Sequence, residues 1–154
     1  MTHNDPKTAF QTGHVGLNVT DLDRSLRFYQ RVFGFEIGGQ SEQPERRFAF
    51  LKQGDTLVLT LWQQSDGRFE AKRPGLHHLS FRVPTLADVR AAERRVREAG
   101  GEFLYEGAVP HREGASSGGI YFEDPDGTRL EVFTSDGLAD AHAPTAGAPS
   151  CGFF

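Results

Sequence analysis

The chain has 154 residues, a formal net charge of −4 and one cysteine, Cys151. That length fits one domain or two small modules sharing a core, and the mild acidity gives no electrostatic reason to expect nucleic acid or an acidic membrane surface as partner. No apolar run reaches the roughly 18 residues of a membrane helix, residues 1–12 lack the basic-then-apolar pattern of a secretory signal, and a lone cysteine builds no intrachain disulfide. A soluble cytoplasmic protein is expected, and with 13 phenylalanines among its aromatic residues it should have a core or pocket rich in phenyl rings.

Residues 1–12 read as a flexible N-terminal segment, and residues 13–136 as one domain carrying the same pattern twice. Module one, 13–62, opens on the strand "HVGLNV" (His14 to Val19). Leu22, Leu26, Tyr29 and Phe33 then recur at helical spacing, between an N-cap at Thr20 or Asp21 and a stop at Gly34. Strand candidates follow at 35–38, 47–52 and 56–62. A polar linker, 63–76, leads to module two, 77–136. There "HLSFRV" (His78 to Val83) precedes a helix marked by Leu86, Val89, Val96 and Ala99, with Thr85 as N-cap and Gly100 past its end. Strand candidates at 102–105, 119–123 and 128–133 complete it. Each module reads βαβββ, an α+β arrangement. Residues 137–154, rich in Ala, Pro and Gly, read as a flexible C-terminal tail unless something anchors them.

Alternation along the strands sorts the side chains into two faces. Val15, Leu17 and Val19, with Leu79, Phe81 and Val83, should meet the helices. His14, Gly16 and Asn18, with His78, Ser80 and Arg82, take the other face. Leu130 and Val132 are core positions, so Glu131 shares the face of the two histidines, as does Phe133. Two imidazoles and a carboxylate are the donors of a facial triad that holds a divalent ion and leaves positions open to substrate. The competing reading makes His14 and His78 ordinary half-buried histidines and pairs Glu131 with Arg129 or Arg82. Three such groups together, two at matching positions of a repeat, favour the metal.

The strand "HVGLNV", the helix end "FYQRVFGF", the strand "HHLSFRV" and the hairpin "YFEDPDGTRLEVF" resemble the vicinal oxygen chelate superfamily. This group includes glyoxalase I, extradiol dioxygenases, fosfomycin resistance proteins and bleomycin-binding proteins. The resemblance spans residues 13–134 and implies two βαβββ modules forming an open, cup-like, eight-stranded sheet around a metal held by His14, His78 and Glu131. It implies Fe(II) first, with Mn(II), Ni(II) or Zn(II) as alternatives, a small-molecule substrate, and a homodimer that is either side by side or module-swapped.

The resemblance also sorts the reactions. Glyoxalase-type members carry a fourth ligand on the last strand of module one, where this chain offers Val58, Thr60 and Trp62 to the cup. Three ligands suit a chelating substrate plus a second reactant. Tyr121, ten residues before Glu131, matches a tyrosine that touches the substrate hydroxyl in extradiol enzymes and that fosfomycin proteins carry at the same spacing, so it does not separate the two. His111 matches a loop histidine of extradiol enzymes that takes the substrate proton. Fosfomycin proteins have a threonine where Gly16 stands, and Gly16 leaves room for a flatter group. Gly16, Asn18, Val58, Thr60, Trp62, Ser80, Arg82 and Phe133 are the expected substrate wall, with Asn18 and Ser80 also candidate partners of the imidazoles. His77 should point away from the cup. The expected activity is an extradiol-type dioxygenase acting on a small aromatic or enolisable chelating substrate. The alternatives are a transferase, isomerase or lyase of glyoxalase or fosfomycin-resistance type, and a metal-free drug-binding protein.

Overall fold

The computed structural model describes residues 8–154, so most of the segment expected to be flexible at the N-terminus lies outside the described residues. Strand β1 (Val15–Val19) runs into helix α1 (Leu22–Phe33). The Asp21 carboxylate accepts from the Arg24 N–H at the helix start, and Gly34, at φ 71°, ends the helix in the left-handed conformation that glycine tolerates best. Strands β2 (Glu36–Ser41), β3 (Phe48–Gln53) and β4 (Thr56–Gln63) follow. They form a four-stranded sheet in the order β1-β4-β3-β2, with β1 parallel to β4 and the other neighbours antiparallel.

Module two repeats the plan. Strand β5 (Leu79–Arg82) precedes helix α2 (Leu86–Glu98), whose Thr85 and Asp88 form a reciprocal capping box. Strands β6 (Glu102–Phe103), β7 (Val109–Pro110), β8 (Gly118–Glu123) and β9 (Arg129–Thr134) complete a five-stranded sheet in the order β5-β9-β8-β6, with β7 also on β8. The α+β class and the open sheets are those the sequence predicts. Short β7 adds a strand to the eight expected, because the long passage from β6 to β8 touches β8 a second time through Val109 and Pro110.

Both helices and the inner faces of both sheets share one core. Leu17, Val19, Leu59 and Leu61 from the first sheet and Ile120, Phe122, Leu130 and Val132 from the second belong to the same buried cluster as Leu22, Tyr29, Val32, Val89 and Val96. Phenyl rings join the modules: Phe33 packs on Phe35 at 5.1 Å and on Phe81 at 4.7 Å, and Phe28 meets Phe122 at 6.3 Å. The β8–β9 turn adds a polar clasp. Tyr29 donates from its hydroxyl to Asp124 at 2.8 Å, both groups buried, and Arg24 reaches Asp126 at 2.6 Å. Because the helices fill the interior between the sheets, the faces carrying the candidate site residues are the outer ones.

The C-terminal stretch does meet an anchor. Leu138 is buried, its N–H donating to the Ser116 carbonyl, and Ser150, also buried, opens a single 3-10 turn (Ser150–Gly152). The Ser150 N–H donates to the His111 carbonyl at 2.8 Å, its hydroxyl donates to the Pro110 carbonyl at 2.5 Å, and its own carbonyl accepts from Tyr105 at 2.8 Å. Composition pointed to a loose tail because a few specific hydrogen bonds from one serine do not show in composition.

Candidate metal and substrate site

Glu131 is the centre of the outer face of module two. It sits mid-strand on β9, opposite Ser80 on β5 and Tyr121 on β8. Only 3% of its surface is exposed, an expensive position for a carboxylate without partners. It has them. His111 donates from Nε2 to Oε1 at 2.6 Å, and the Tyr121 hydroxyl donates to the same oxygen at 3.1 Å. Burial works to raise the Glu131 pKa, but hydrogen bonds from His111, Ser80 and Tyr121 outweigh it and hold the carboxyl below its ordinary value. Tyr121 is fully buried, and burial together with the neighbouring Glu131 charge pushes its phenol far above the ordinary range, so it remains a donor.

His78 supplies the second candidate ligand. Its Nε2 lies 3.6 Å from Glu131 Oε2, and its Nδ1 lies 2.8 Å from Nδ1 of His77. Burial lowers the His78 pKa against the attraction of Glu131, favouring the neutral ring. When neutral His78 donates from Nδ1 to His77, its Nε2 lone pair faces the carboxylate. Neutral imidazole beside ionised carboxylate is the protonation pair a divalent ion requires. Two such donors fit one cation at ligand distances of roughly 2.0–2.2 Å better than they fit each other.

His77 lies on the same side as His78, contrary to the expectation that it points away. Both precede β5, which begins at Leu79, so strand alternation does not govern them. His111 also sits otherwise than as a free base. Its Nδ1 is 2.9 Å from the Ser117 hydroxyl while its Nε2 donates to Glu131, so both ring nitrogens are engaged.

His14 occupies the corresponding place in module one, at the mouth of β1, and is exposed. The structure does not bring it together with His78 and Glu131 in one chain: among the described residues, no three His, Cys, Asp or Glu side chains are set to share an ion. Its neighbours form a separate surface. Gly16 faces Thr60 and Asn18 faces Trp62 across β1 and β4. The Trp62 indole donates to the Thr60 hydroxyl at 2.9 Å, and the Asn18 side-chain Oδ1 accepts from the Gln64 N–H. A Cβ on Gly16 would lie 3.2 Å from that Thr60 oxygen, so Gly16 accommodates the Thr60–Trp62 pair rather than opening free space. Val58 is half-buried against the core edge. Phe48 and Phe50, not among the expected wall residues, pack on Trp62 at 5.2 and 6.0 Å. Their signal was available, since Ala49 and Leu51 are core positions and alternation sends their neighbours outward. In module two, Phe133 packs on His111 at 5.1 Å, while Ser80 and Arg82 line the exposed side of β5. Tyr105 and Phe153, which reach Tyr121 at 5.4 and 5.7 Å, carried no sequence signal.

Two βαβββ modules, a histidine before the first strand of each and a buried carboxylate on the last strand are the pattern of this fold. A family model described as the Glyoxalase/Bleomycin resistance protein/Dioxygenase superfamily matches residues 11–132, and the chain belongs to that superfamily. The catechol-2,3-dioxygenase of Bacillus subtilis is 28% identical over 123 residues, covering 79% of this chain but only 40% of that enzyme, so the chain spans less than half its length. The lactoylglutathione lyase of Haemophilus influenzae is 34% identical over 138 residues, covering 82% of this chain and 97% of the lyase. A solved glyoxylase/bleomycin resistance protein/dioxygenase domain from Frankia sp. EAN1pec superposes with a TM-score of 0.69 at 28% identity, covering 83% of this chain and 99% of that one. A variant of a fosfomycin resistance protein from Listeria monocytogenes, solved with Mn(II), shares the fold at a TM-score of 0.61 and 20% identity over 81% of this chain and 92% of its own. Among the described residues no helix is long and apolar enough to cross a membrane.

Proposed function

We propose that this chain is a divalent-metal-dependent enzyme whose site is completed by a second copy, with His78 and Glu131 of one protomer joined by the partner subunit's His14. The observation that carries the reading is the pair on module two: His78 Nε2 and the buried Glu131 Oε2 lie 3.6 Å apart, where burial favours the neutral imidazole and hydrogen bonds favour the ionised carboxylate. His14 lies exposed on the outer face of the other module, where a homodimer would bring it to that pair. A bound divalent ion, Fe(II) in the preferred reading, supplies Lewis acidity and positions for a substrate with adjacent oxygens.

The chain's own groups have defined tasks. His111 and Tyr121 saturate Oε1 of Glu131, which leaves Oε2 toward His78. Tyr121 stays protonated, and its single hydroxyl proton reaches negative charge developing on a substrate oxygen only if it leaves Glu131. Removing the substrate proton falls to His111 only if it lets go of Glu131. The aromatic surfaces on both sheets suit a flat, partly apolar ligand.

Oxygenation of a small aromatic substrate is the activity we favour, in line with the catechol dioxygenase relative. The lyase relative supports a glyoxalase-type isomerase or lyase as second reading. Against it, β4 turns Thr60 and Trp62 outward, bonded to each other, and offers no fourth carboxylate. The test is anaerobic loading with Fe(II), Mn(II), Ni(II) or Zn(II), followed by oxygen uptake with a catechol panel and by turnover of a thiol hemiacetal. Oxygen uptake with Fe(II) or Mn(II) is expected, and hemiacetal turnover without oxygen uptake would replace the oxygenase reading. Glu131→Ala should lose most of the bound metal, and stoichiometric retention would overturn the ligand assignment.

A further inference from the structure

Beyond Ser150 the chain turns onto the outer face of module two and seats one phenyl ring there. The Phe153 ring stacks on His77 at 5.7 Å and on Tyr105 at 6.0 Å, and meets Tyr121 and His78 edge-on at 5.7 and 6.0 Å. The Arg129 guanidinium lies over it, 4.6 Å from the ring centre. Every one of these neighbours is an aromatic face or edge or a planar cation. Such a set recognises the π-system of a ring, more so when that ring is electron-rich.

The attachment is uneven. Early in the tail Leu138, His142 and Ala143 bond to Ser116 and Glu113; near its end the bonds to the module are those of Ser150, whose N–H, hydroxyl and carbonyl are all engaged. The four residues after it hold by turn bonds back to Pro149 and Ser150 and by one bond from the Thr145 hydroxyl to the Phe154 carbonyl. Phe153 sits at φ 57°, ψ 44°, a left-handed conformation uncommon for a bulky L-residue. Its ring contacts and the turn bond from its N–H to the Ser150 carbonyl together hold that geometry. Phe154, next to it, is 81% exposed.

We propose that Phe153 is the internal occupant of an aromatic subsite, and that this slot receives the ring of a phenolic or catecholic substrate when Cys151–Phe154 swings away about Ser150. The slot borders His78, so an oxygen on a ring bound there lies within reach of an ion held by that imidazole at a bond of roughly 2 Å. The identity of the ring rests on the oxygenase reading above; the displacement of Phe153 does not need metal or oxygen.

The experiment uses metal-free full-length protein in chelator, with 4-nitrocatechol as probe. Its dissociation constant is measured by calorimetry for the wild-type chain, for Phe153→Ala and for the chain truncated after Cys151, each first shown by thermal melting to be folded. A slot open only part of the time has its apparent affinity reduced by the fraction of time it is open, so both variants should bind about three- to tenfold tighter. In the wild-type chain, saturating probe should also speed iodoacetamide alkylation of Cys151, the only cysteine, because displacement carries that half-buried thiol outward. Equal or weaker binding by both variants would make Phe153 a wall rather than an occupant and overturn the proposal, as would an alkylation rate that stays level or falls. Because no metal or oxygen is present, failure of the oxygenase reading leaves this result interpretable, and oxygen uptake with unchanged probe affinity would refute the plug alone.

Discussion

If each metal site draws His14 from one protomer and His78 with Glu131 from the other, two variants that each fail alone must rescue one another. His14→Ala and Glu131→Ala homodimers both lack a complete site. In a heterodimer, one site combines the intact His14 of the Glu131 variant with the intact His78 and Glu131 of the His14 variant. The other site collects both substitutions. Isolated heterodimer should therefore regain about half of the wild-type metal per dimer, the share fixed by two-fold symmetry. The structural basis is the split itself: His78 and Glu131 adjoin within a chain, whereas His14 sits on the other module and shares no three-residue cluster with them. Co-expression with two different affinity tags, tandem purification and metal analysis after loading make the assay. A heterodimer whose metal content stays at the level of the parents would refute the shared site. A monomer in sedimentation at micromolar concentration would refute it sooner.

Tyr29→Phe removes a buried hydroxyl that donates to the Asp124 carboxylate between modules, and hydrogen bonds to charged groups contribute about 1.5–3 kcal/mol; urea unfolding should show a loss in that range, and under about 0.5 kcal/mol would mean the clasp adds nothing. Gly119→Ala should abolish the soluble fold in an expression test, since a Cβ there would sit 1.9 Å from the Val132 carbonyl of β9, and a variant melting like wild-type would contradict the register. Acid should destabilise the metal-free protein in two steps. His78 is lowered from 6.5 in the fold, so its contribution is complete above that value and is lost as pH falls toward the folded pKa; Glu131 is lowered from 4.5, so its contribution is complete above that value and is lost as pH falls from there through the lower folded pKa. Melting temperature should thus drop on acidification from about pH 7.5, and His78→Gln should remove the earlier step; an unchanged profile in that variant would assign the step elsewhere.

Repetition and alternation made the fold legible. Two histidine-led strands, two capped helices and a hairpin with Asp124 and Gly127 at its turn give both modules, and element ends agree to within a few residues. Alternation also put Glu131 on the face of Ser80, and the sheet register then sets it beside Ser80 and Tyr121. It failed for His77, because the periodic rule holds only inside a ladder and His77 precedes one. Phe48 and Phe50 followed the rule but were missed as wall residues. The tail was opaque for another reason: its order depends on Ser150 meeting carbonyls some forty residues away, at Pro110 and His111. Such contacts leave no local period.

The position of Glu131 links these features through one carboxylate. Its Oε1 is taken by His111 and Tyr121, and Tyr121 in turn packs against Tyr105 and Phe153. Its Oε2 faces His78, which packs against the same Phe153. A change on either side of the carboxylate is therefore felt at the ring that the tail inserts. Tyr121→Phe isolates this coupling, since it deletes one donor to Oε1 while keeping the phenyl ring against Phe153. With one neutral donor gone, the Glu131 pKa should rise toward its ordinary value, and metal uptake should need a higher pH than in wild-type. The measurement is metal occupancy against pH at fixed free Zn(II), a redox-silent ion. A profile superimposing on wild-type would show that His111 alone holds the carboxylate ionised and that the Tyr121 hydroxyl serves only the substrate.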